Sequence, residues 1–300
     1  MAKISIHTAT YNRAYILVKA YESLVAQTCK DFEWVITDDG STDNTESLVK
    51  SWQERDNGFD IVYNKLSHVG VPRALNSGVG RASTEWFLML DSDDYLMPET
   101  VSRVSGWLEE IEGDSSFAGI GFAKCFPDGR FMKAQNPLIN PEIGYVDATH
   151  IERRKYNLDM DMCEVQRVSL LKKYPFQVWE GEMFAPEQLG MYAMALDGYK
   201  LRWRADKLYV CDYLADGLTR SNDIVKRNPM GYAMMHNQLI LLSENMKRKI
   251  FHTVQMTALC LYSKNPQYLM KSNARCLTLL TLPLGFVLAL RRYLQFRKMN

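Results

Sequence analysis

Three carboxylates, Asp91, Asp93 and Asp94, fall within four positions directly after the apolar run Trp86-Phe87-Leu88-Met89-Leu90. Five apolar residues bounded by polar sequence read as a buried strand, which puts the acids at its C-terminal end. Like charges this close repel and raise one another's pKa. A hard divalent cation, which takes oxygen ligands, relieves that conflict. The carboxyl ends of strands in an open α/β sheet are also where ligands bind. For an isolated Asp-x-Asp a solvated acidic turn is the plainer reading, and the surrounding chain argues against it.

Two more polar segments follow strand-like runs, and a strand-helix alternation must carry all three. Ile4 to Thr8 reads as a strand leading into Thr8-Ala9-Thr10-Tyr11-Asn12-Arg13, after which Ala14, Leu17, Val18, Tyr21, Leu24 and Val25 recur at helical spacing. Phe32 to Thr37 is a second strand ending in Asp38-Asp39-Gly40-Ser41. Thr42 or Asp43 can cap the helix whose buried face is Leu48, Val49 and Trp52. Ile61 to Tyr63 is a third strand, and Val71 to Ala82 a helix leading back to Trp86. Such alternation predicts an α/β fold with a mostly parallel central sheet and helices on both faces. There is no G-x-G-x-x-G after the first strand and no G-x-x-x-x-G-K-[ST] anywhere, which argues against dinucleotide and P-loop folds.

Composition sets the outer bounds. Of 300 residues, 47% are hydrophobic and 24% charged, as in a globular protein with a sizeable core. A net charge of +1 gives no global reason to expect nucleic acid. Six cysteines lie far apart with no C-x-x-C pair, which predicts buried thiols in a reducing compartment. Met-Ala-Lys-Ile-Ser-Ile enters a strand at once and leaves no room for a signal peptide, so the expected location is cytoplasmic.

Residues 4–100 resemble the start of a family 2 glycosyltransferase with the GT-A fold. The matching pieces are Thr8–Arg13, Gln27-Thr28 at the end of the first helix, and Asp38-Asp39-Gly40-Ser41-Thr42-Asp43-Asn44-Thr45. Gly70-Val71-Pro72-Arg73-Ala74-Leu75-Asn76-Ser77-Gly78 and Leu90-Asp91-Ser92-Asp93-Asp94-Tyr95-Leu96 complete them. The likeness fades to about residue 215 and is lost beyond. It implies inverting transfer of a sugar from a nucleotide diphosphate to an acceptor hydroxyl, with Mn²⁺ or Mg²⁺ bridging the phosphates. By this resemblance Asp93 is the direct metal ligand, Asp91 touches metal or ribose beside Ser92, and Asp94 reaches toward the donor sugar. The residue matching Asp39 accepts a uracil N–H in relatives, which favours a uridine donor although guanine also offers an N–H, while Thr8, Thr10, Tyr11, Asn12 and Arg13 enclose base and ribose. Arg73 is the cation for a diphosphate oxygen, although many relatives carry their arginine where this chain has Leu75.

An inverting transfer needs a base on the face opposite the leaving group. Relatives carry a Glu-Asp pair opening a helix that ends in a Gly-Tyr-Lys-like turn, here Gly198-Tyr199-Lys200. Counting back places the base at Glu187, behind Pro186, with Glu182 and then Glu180 as alternatives. Trp179 and Trp203 are either a sugar-stacking wall or core, and His7 is expected to be a satisfied core histidine. The strand Tyr209–Tyr213 leads to a loop, Asp216-Gly217-Leu218-Thr219, that could fold over the donor. Two rival readings are a sugar nucleotidyltransferase and a non-catalytic nucleotide- or glycan-binding relative.

The expected domains are 1–215, catalytic (1–100 nucleotide half, 101–215 acceptor and base half), and 216–300, a helical extension. Within its tail, 276–298, Cys276 to Leu290 is uncharged over fifteen residues and interrupted by Pro283. That is short of the roughly 20 apolar residues a spanning helix needs. Lys271 and Arg275 precede it; Arg291, Arg292, Arg297 and Lys298 follow. Such a segment reads as an interfacial or re-entrant dock on anionic lipid, or as a buried terminal helix. Docking would suit an acceptor held on a membrane lipid at the inner face of the cell membrane.

Overall fold

The computed structural model describes residues 3–132, 136–211 and 223–297. The expected strand end at Asp212–Tyr213, the loop Asp216–Thr219, the 215/216 boundary and Lys298 lie outside them. The elements are β1 Ile4–Thr10, α1 Ala14–Val25, β2 Phe32–Asp38, α2 Thr45–Gln53, β3 Asp60–Lys65, α3 Val71–Arg81, β4 Trp86–Met89, β5 Tyr95–Leu96, α4 Thr100–Glu109, β6 Phe117–Cys125, β7 Val146–Thr149, β8 Met162–Arg167, α5 Val168–Lys173, α6 Gln188–Leu196 and β9 Lys200–Val210. Four helices follow: α7 Ile224–Arg227, α8 Pro229–Leu241, α9 Met246–Tyr262 and α10 Arg275–Arg297.

The chain divides into two compact units. One is Met1–Pro175 with Ala193–Leu214; the other is Phe176–Tyr192 with Ala215–Asn300. The stretch carrying Glu180, Glu182 and Glu187, expected within the catalytic domain, thus groups with the C-terminal helices.

The first unit is a nine-stranded sheet in the order β3-β2-β1-β4-β8-β6-β9-β5, with β7 on β9. The four strands β3, β2, β1 and β4 pair in parallel, as the alternation predicts. Past β4 the sheet is mixed: β8 runs antiparallel to both β4 and β6, whereas β6 and β9 are parallel. The chain builds outward from β1 to β3 and then returns to lay β4 on the other side of β1. That reversal makes a crevice at the C-terminal ends of β1 and β4, the place where open α/β sheets bind ligands.

Every residue of β2 is buried, as expected of a strand covered on both faces. Trp34 on β2 lies 5.7 Å from Trp52 of α2, and Trp52 stacks flat on Tyr21 of α1 at 4.3 Å. These rings lock both helices onto the sheet. Of the expected face of α1, Val25 is the exception, being 44% exposed in the final turn.

His7, in the middle of β1, is only half satisfied. Its Nε2 lies 3.0 Å from Thr37 Oγ1, but Nδ1 is buried with no partner. The ring stacks on Phe87 at 5.3 Å, and a Cβ at Gly78 would come within 2.1 Å of it, so the imidazole is fully enclosed. Burial lowers its pKa to about 3. The folded group stays neutral where the unfolded chain takes up a proton near the ordinary value, so stability falls as pH drops from about 6.5 toward 3. The slope from this one proton is about 1.4 kcal/mol per pH unit. His7→Asn is expected to lose one proton's worth of that slope, measured as urea unfolding free energy between pH 4.5 and 6.5. An unchanged slope would exclude His7 as its source.

In the second unit α8 and α9 bury Met230, Ala233, Ile240, Met256, Leu259 and Cys260, with Trp179 and Tyr268 packed against them. Trp179 therefore belongs to this packing, meeting Tyr268 edge-on at 5.4 Å. In the first unit Trp203 is fully buried and its Nε1 donates to Ala148 O at 2.9 Å, a core role. The tail departs from expectation. Instead of a fifteen-residue segment broken at Pro283, α10 is one helix of 23 residues that continues through the proline. By length and composition it is apolar enough to cross a membrane, and only 22% of its most apolar window is buried.

Candidate functional site

The loop after β1 and the loop after β2 are stitched together by Asn12. Its backbone, in the left-handed region at φ 53°, turns the side chain so that Oδ1 accepts from Thr42 N at 2.8 Å and Asp43 N at 3.3 Å. Its own N–H donates to Ser41 Oγ at 2.8 Å. Asp43 does not cap α2 alone. One oxygen accepts from Thr45 N at 3.1 Å and Thr45 Oγ1 at 2.6 Å, and the other accepts from Ala14 N at 3.1 Å. A single carboxylate thus closes the N-termini of two helices, where negative charge is favoured.

Asp38 is a turn-former. It accepts from Ser41 N at 2.7 Å and from the Tyr63 hydroxyl at 2.6 Å, fully buried. Asp39 accepts from Val69 N at 2.6 Å and Gly70 N at 2.9 Å, one on each oxygen, with His68 Nδ1 3.2 Å away. His68 in turn stacks on Tyr11 at 4.1 Å. Tyr11, 42% exposed, gives these two loops an accessible aromatic face beside an acceptor-only carboxylate. No spacing rule in the sequence pairs Tyr11 with His68.

Thr8 is not part of this surface. β1 runs on to Thr10, so Thr8 lies inside the sheet, where its hydroxyl accepts from Trp34 Nε1 at 3.0 Å. Thr10 ends the strand with Oγ1 buried and unpartnered. Arg73, in the first turn of α3, reaches back to the loop before it, Nη1 donating to Val69 O at 2.8 Å.

The acids after β4 are gathered by two cations and a tyrosine. Asp93 accepts from Arg13 Nη1 at 3.3 Å, which joins the β1 loop to the β4 end. Asp91 has Lys124 Nζ at 3.4 Å and the Tyr209 hydroxyl at 3.1 Å on one oxygen, and its N–H donates to Tyr209 Oη at 2.9 Å. Asp94 is buried and accepts from Cys211 Sγ at 3.3 Å. Ser92 is buried between them. Burial, then the charge on Asp91, holds Asp93 above its ordinary value despite Arg13. Burial and Asp91 push Asp94 up to about 7. Burial works against the charge on Lys124, yet Asp91 and Asp161 outweigh it and keep the ammonium charged well above its ordinary value. Its Nζ also sits 4.3 Å over the Tyr209 ring. Among the described residues no three His, Cys, Asp or Glu side chains form a ready-made metal cage.

The expected bases lie in the other unit. Glu187 is half-buried immediately before α6, its carbonyl accepting from Gly190 N at 3.2 Å. The helix closes as predicted on Gly198 at φ 88°, with Tyr199 N bonded to Met194 O at 3.0 Å. Glu182 is otherwise engaged: its two oxygens accept from Met230 N and Gly231 N, both at 2.7 Å, capping α8. That capping geometry argues against Glu182 as a base. Glu182→Ala would orphan two buried N–H groups and is expected to cost about 2–4 kcal/mol in urea unfolding; a loss under 1 kcal/mol would refute the cap. Glu180 is exposed.

Residues 5–174 match the sequence profile of glycosyl transferase family 2, more than half the chain. The chain belongs to this family. A glucosyltransferase of Campylobacter jejuni, named GalNAc(5)-diNAcBac-PP-undecaprenol beta-1,3-glucosyltransferase, is 35% identical over 104 residues, which is 35% of this chain and 34% of that protein. A PGL/p-HBAD biosynthesis glycosyltransferase of Mycobacterium tuberculosis is 36% identical over 109 residues, 36% of this chain and 42% of its own length. The chain thus spans between a third and about two fifths of these relatives. Among solved structures, S. aureus TarS 1–349 in complex with UDP-GlcNAc superposes with a TM-score of 0.63 at 18% identity, over 95% of this chain and 79% of that one. The mannosyltransferase PcManGT of Pyrobaculum calidifontis, in complex with GDP-Man and Mn²⁺, gives 0.51 at 16% identity, over 95% and 73%. At such identities the likeness establishes the fold, which is GT-A.

Proposed function

We propose that this family 2 protein transfers a sugar, with inversion, from a uridine diphosphate sugar to a hydroxyl of a lipid-linked glycan, using a divalent metal, at the cytoplasmic face of a membrane. The observation that carries this reading is the acid cluster at the β1/β4 crevice, with Asp93 and Asp94 held above their ordinary values by burial and by Asp91. Hard oxygen donors that resist bearing their charges together suit Mg²⁺ or Mn²⁺. Such ions commonly rest on one or two carboxylates and complete their shell with substrate phosphates, which needs no closed protein cage. Asp93 and Asp91 would hold the ion; bound there, it would stabilise the charge growing on the departing diphosphate.

The chain's own residues do the rest. Arg13 exchanges Asp93 for a phosphate oxygen, which a guanidinium can grip with two donors. Lys124 and Tyr209 keep Asp91 oriented while that exchange occurs. Asp39 Oδ1, which accepts only from Val69 N, keeps a second lone pair for a base N–H, whereas Oδ2 already faces Gly70 N and His68 Nδ1; Tyr11 offers a stacking face. Thr10, at the end of β1, and Ser92, next to Asp91 in sequence, are buried and would back the nucleotide site from beneath. Asp94 faces the donor sugar, and Arg73 is a second phosphate cation once it leaves Val69. Glu187 removes the acceptor proton as the new bond forms.

The Campylobacter relative's name places that protein on an undecaprenol diphosphate glycan, and TarS is known with UDP-GlcNAc; both support the acceptor and donor classes. Calorimetry with UDP, with and without Mn²⁺, combined with transfer assays on a panel of UDP-sugars, tests the reading. Metal-dependent UDP binding with turnover is the expected result. Binding without turnover would indicate a nucleotide-binding relative, and preference for a nucleoside triphosphate would indicate a nucleotidyltransferase.

A further inference from the structure

α10 is built inside out. Over its apolar stretch the sunken stripe is Thr278, Thr281, Gly285 and Ala289, spaced three, four and four, all small or hydroxylated; only past Arg292 does a large residue, Phe296, turn inward, against Tyr262 at 5.1 Å. Its outward side carries Leu279, Leu280, Leu284, Phe286, Val287 and Leu290, each more than half exposed, up to 79% at Leu280. The stripe packs on α9 closely enough that a Cβ at Gly285 would meet Thr257 Cγ2 at 2.4 Å. The hydroxyls at this contact are spent close by in the chain: Thr281 on Leu277 O and Thr257 on Thr253 O, both at 2.8 Å, and Thr278 on Ala274 O at 3.0 Å and Ser272 Oγ at 2.7 Å, just before the helix. Water favours the opposite arrangement, with leucine inside and threonine outside. Small residues at the helix contact and large apolar ones outward is how helices pack where lipid is the solvent.

The exposed side has no polar strip. From Cys276 to Leu290 every exposed residue is apolar, and Arg275–Arg297 contains no Asp or Glu. A helix lying half in water keeps one charged face; this one keeps none over that stretch. Although the 23-residue helix passes for a spanning segment by length and composition, its uncharged fifteen residues reach only about 22 Å at ~1.5 Å per residue before Arg291 and Arg292, short of the ~30 Å hydrocarbon core, so a clean crossing is disfavoured. Lys271 and Arg275 stand at one end, Arg291 and Arg297 at the other, all exposed.

We infer that α10 is sunk into one leaflet of a bilayer carrying anionic headgroups, its apolar flank among acyl chains and the cations at both ends at headgroup level. This inference rests on α10 alone and stands whether or not the transferase reading does, since vesicle binding needs neither donor nor acceptor.

Flotation of the full chain with phosphatidylcholine vesicles containing 30% phosphatidylglycerol tests it. The protein is expected to float, to remain bound in 1 M salt, and to be released by detergent. The double variant Leu280→Glu/Val287→Glu should bind at least tenfold more weakly while keeping its circular dichroism. Arg275→Gln/Arg291→Gln should lose the preference over pure phosphatidylcholine but still float in part. Should the glutamate variant misfold, the salt resistance of the unaltered chain decides: release by salt alone overturns insertion. So does a protein that stays monodisperse and never floats. A stable dimer without lipid that the glutamate pair turns into monomers would show that a second copy covers the face, and would likewise overturn it.

Discussion

Asp93→Ala is expected to abolish the metal dependence of UDP binding and to slow transfer by about 10³-fold or more. Several kcal/mol of charge stabilisation at the departing diphosphate depend on the ion this carboxylate would hold, and each 1.36 kcal/mol is tenfold in rate. The same change releases Arg13 from its 3.3 Å contact with Asp93. UDP affinity measured without metal should therefore be kept or improved, whereas a misfolded variant would lose it too. Calorimetry with and without Mn²⁺ reads both quantities. An Mn²⁺ enhancement equal to that of the unaltered chain would remove Asp93 from the ligand role.

The second large effect is expected at Glu187. Glu187→Gln keeps the size and polarity of the side chain while removing its ability to take a proton. Transfer should fall by at least ~10²-fold, as is usual when a general base is lost, with UDP binding unchanged. Glu182→Gln gives the contrast. Its carbonyl oxygen can still accept one of the two α8 N–H groups, so the loss should show in unfolding more than in turnover. Near-normal rates for Glu187→Gln would exclude it as the base.

The parallel half of the fold is readable because its elements carry local signatures: apolar runs at β1, β2 and β4 and helical spacing at α1; outside it, the glycine at the close of α6 is readable in the same way. The loops after β1, β2 and β4 were readable for the same reason, since adjacency in sequence becomes adjacency at one edge. What escaped notice depends on pairings across long stretches of chain. Lys124 on β6 and Tyr209 on β9 reach Asp91 only because β8 and β6 insert beyond β4, and no motif surrounds either residue. Thr8 was misplaced because strand ends are set by ladder bonds that residue types do not reveal; β1 pairs with β2 as far as Thr10 and Asp38. Glu182 looked catalytic because an acid near a helix start is ambiguous until the helix it serves is known, and that helix begins at Pro229. Pro283 reads as a break in sequence because a proline removes a backbone bond and crowds the preceding turn; where the rest of the helix holds, that cost does not end it.

Arg13 and Lys124 pre-balance the charge of the acid cluster. In the resting molecule the two acids proposed to grip the ion are already escorted by positive partners, so the ledge does not meet solvent as a bare anion. A metal-nucleotide complex arriving there swaps one set of counter-charges for another and changes the local sum little. Capture should accordingly depend on ionic strength only weakly, and selectivity should come from the shape of the exchange and not from attraction at a distance.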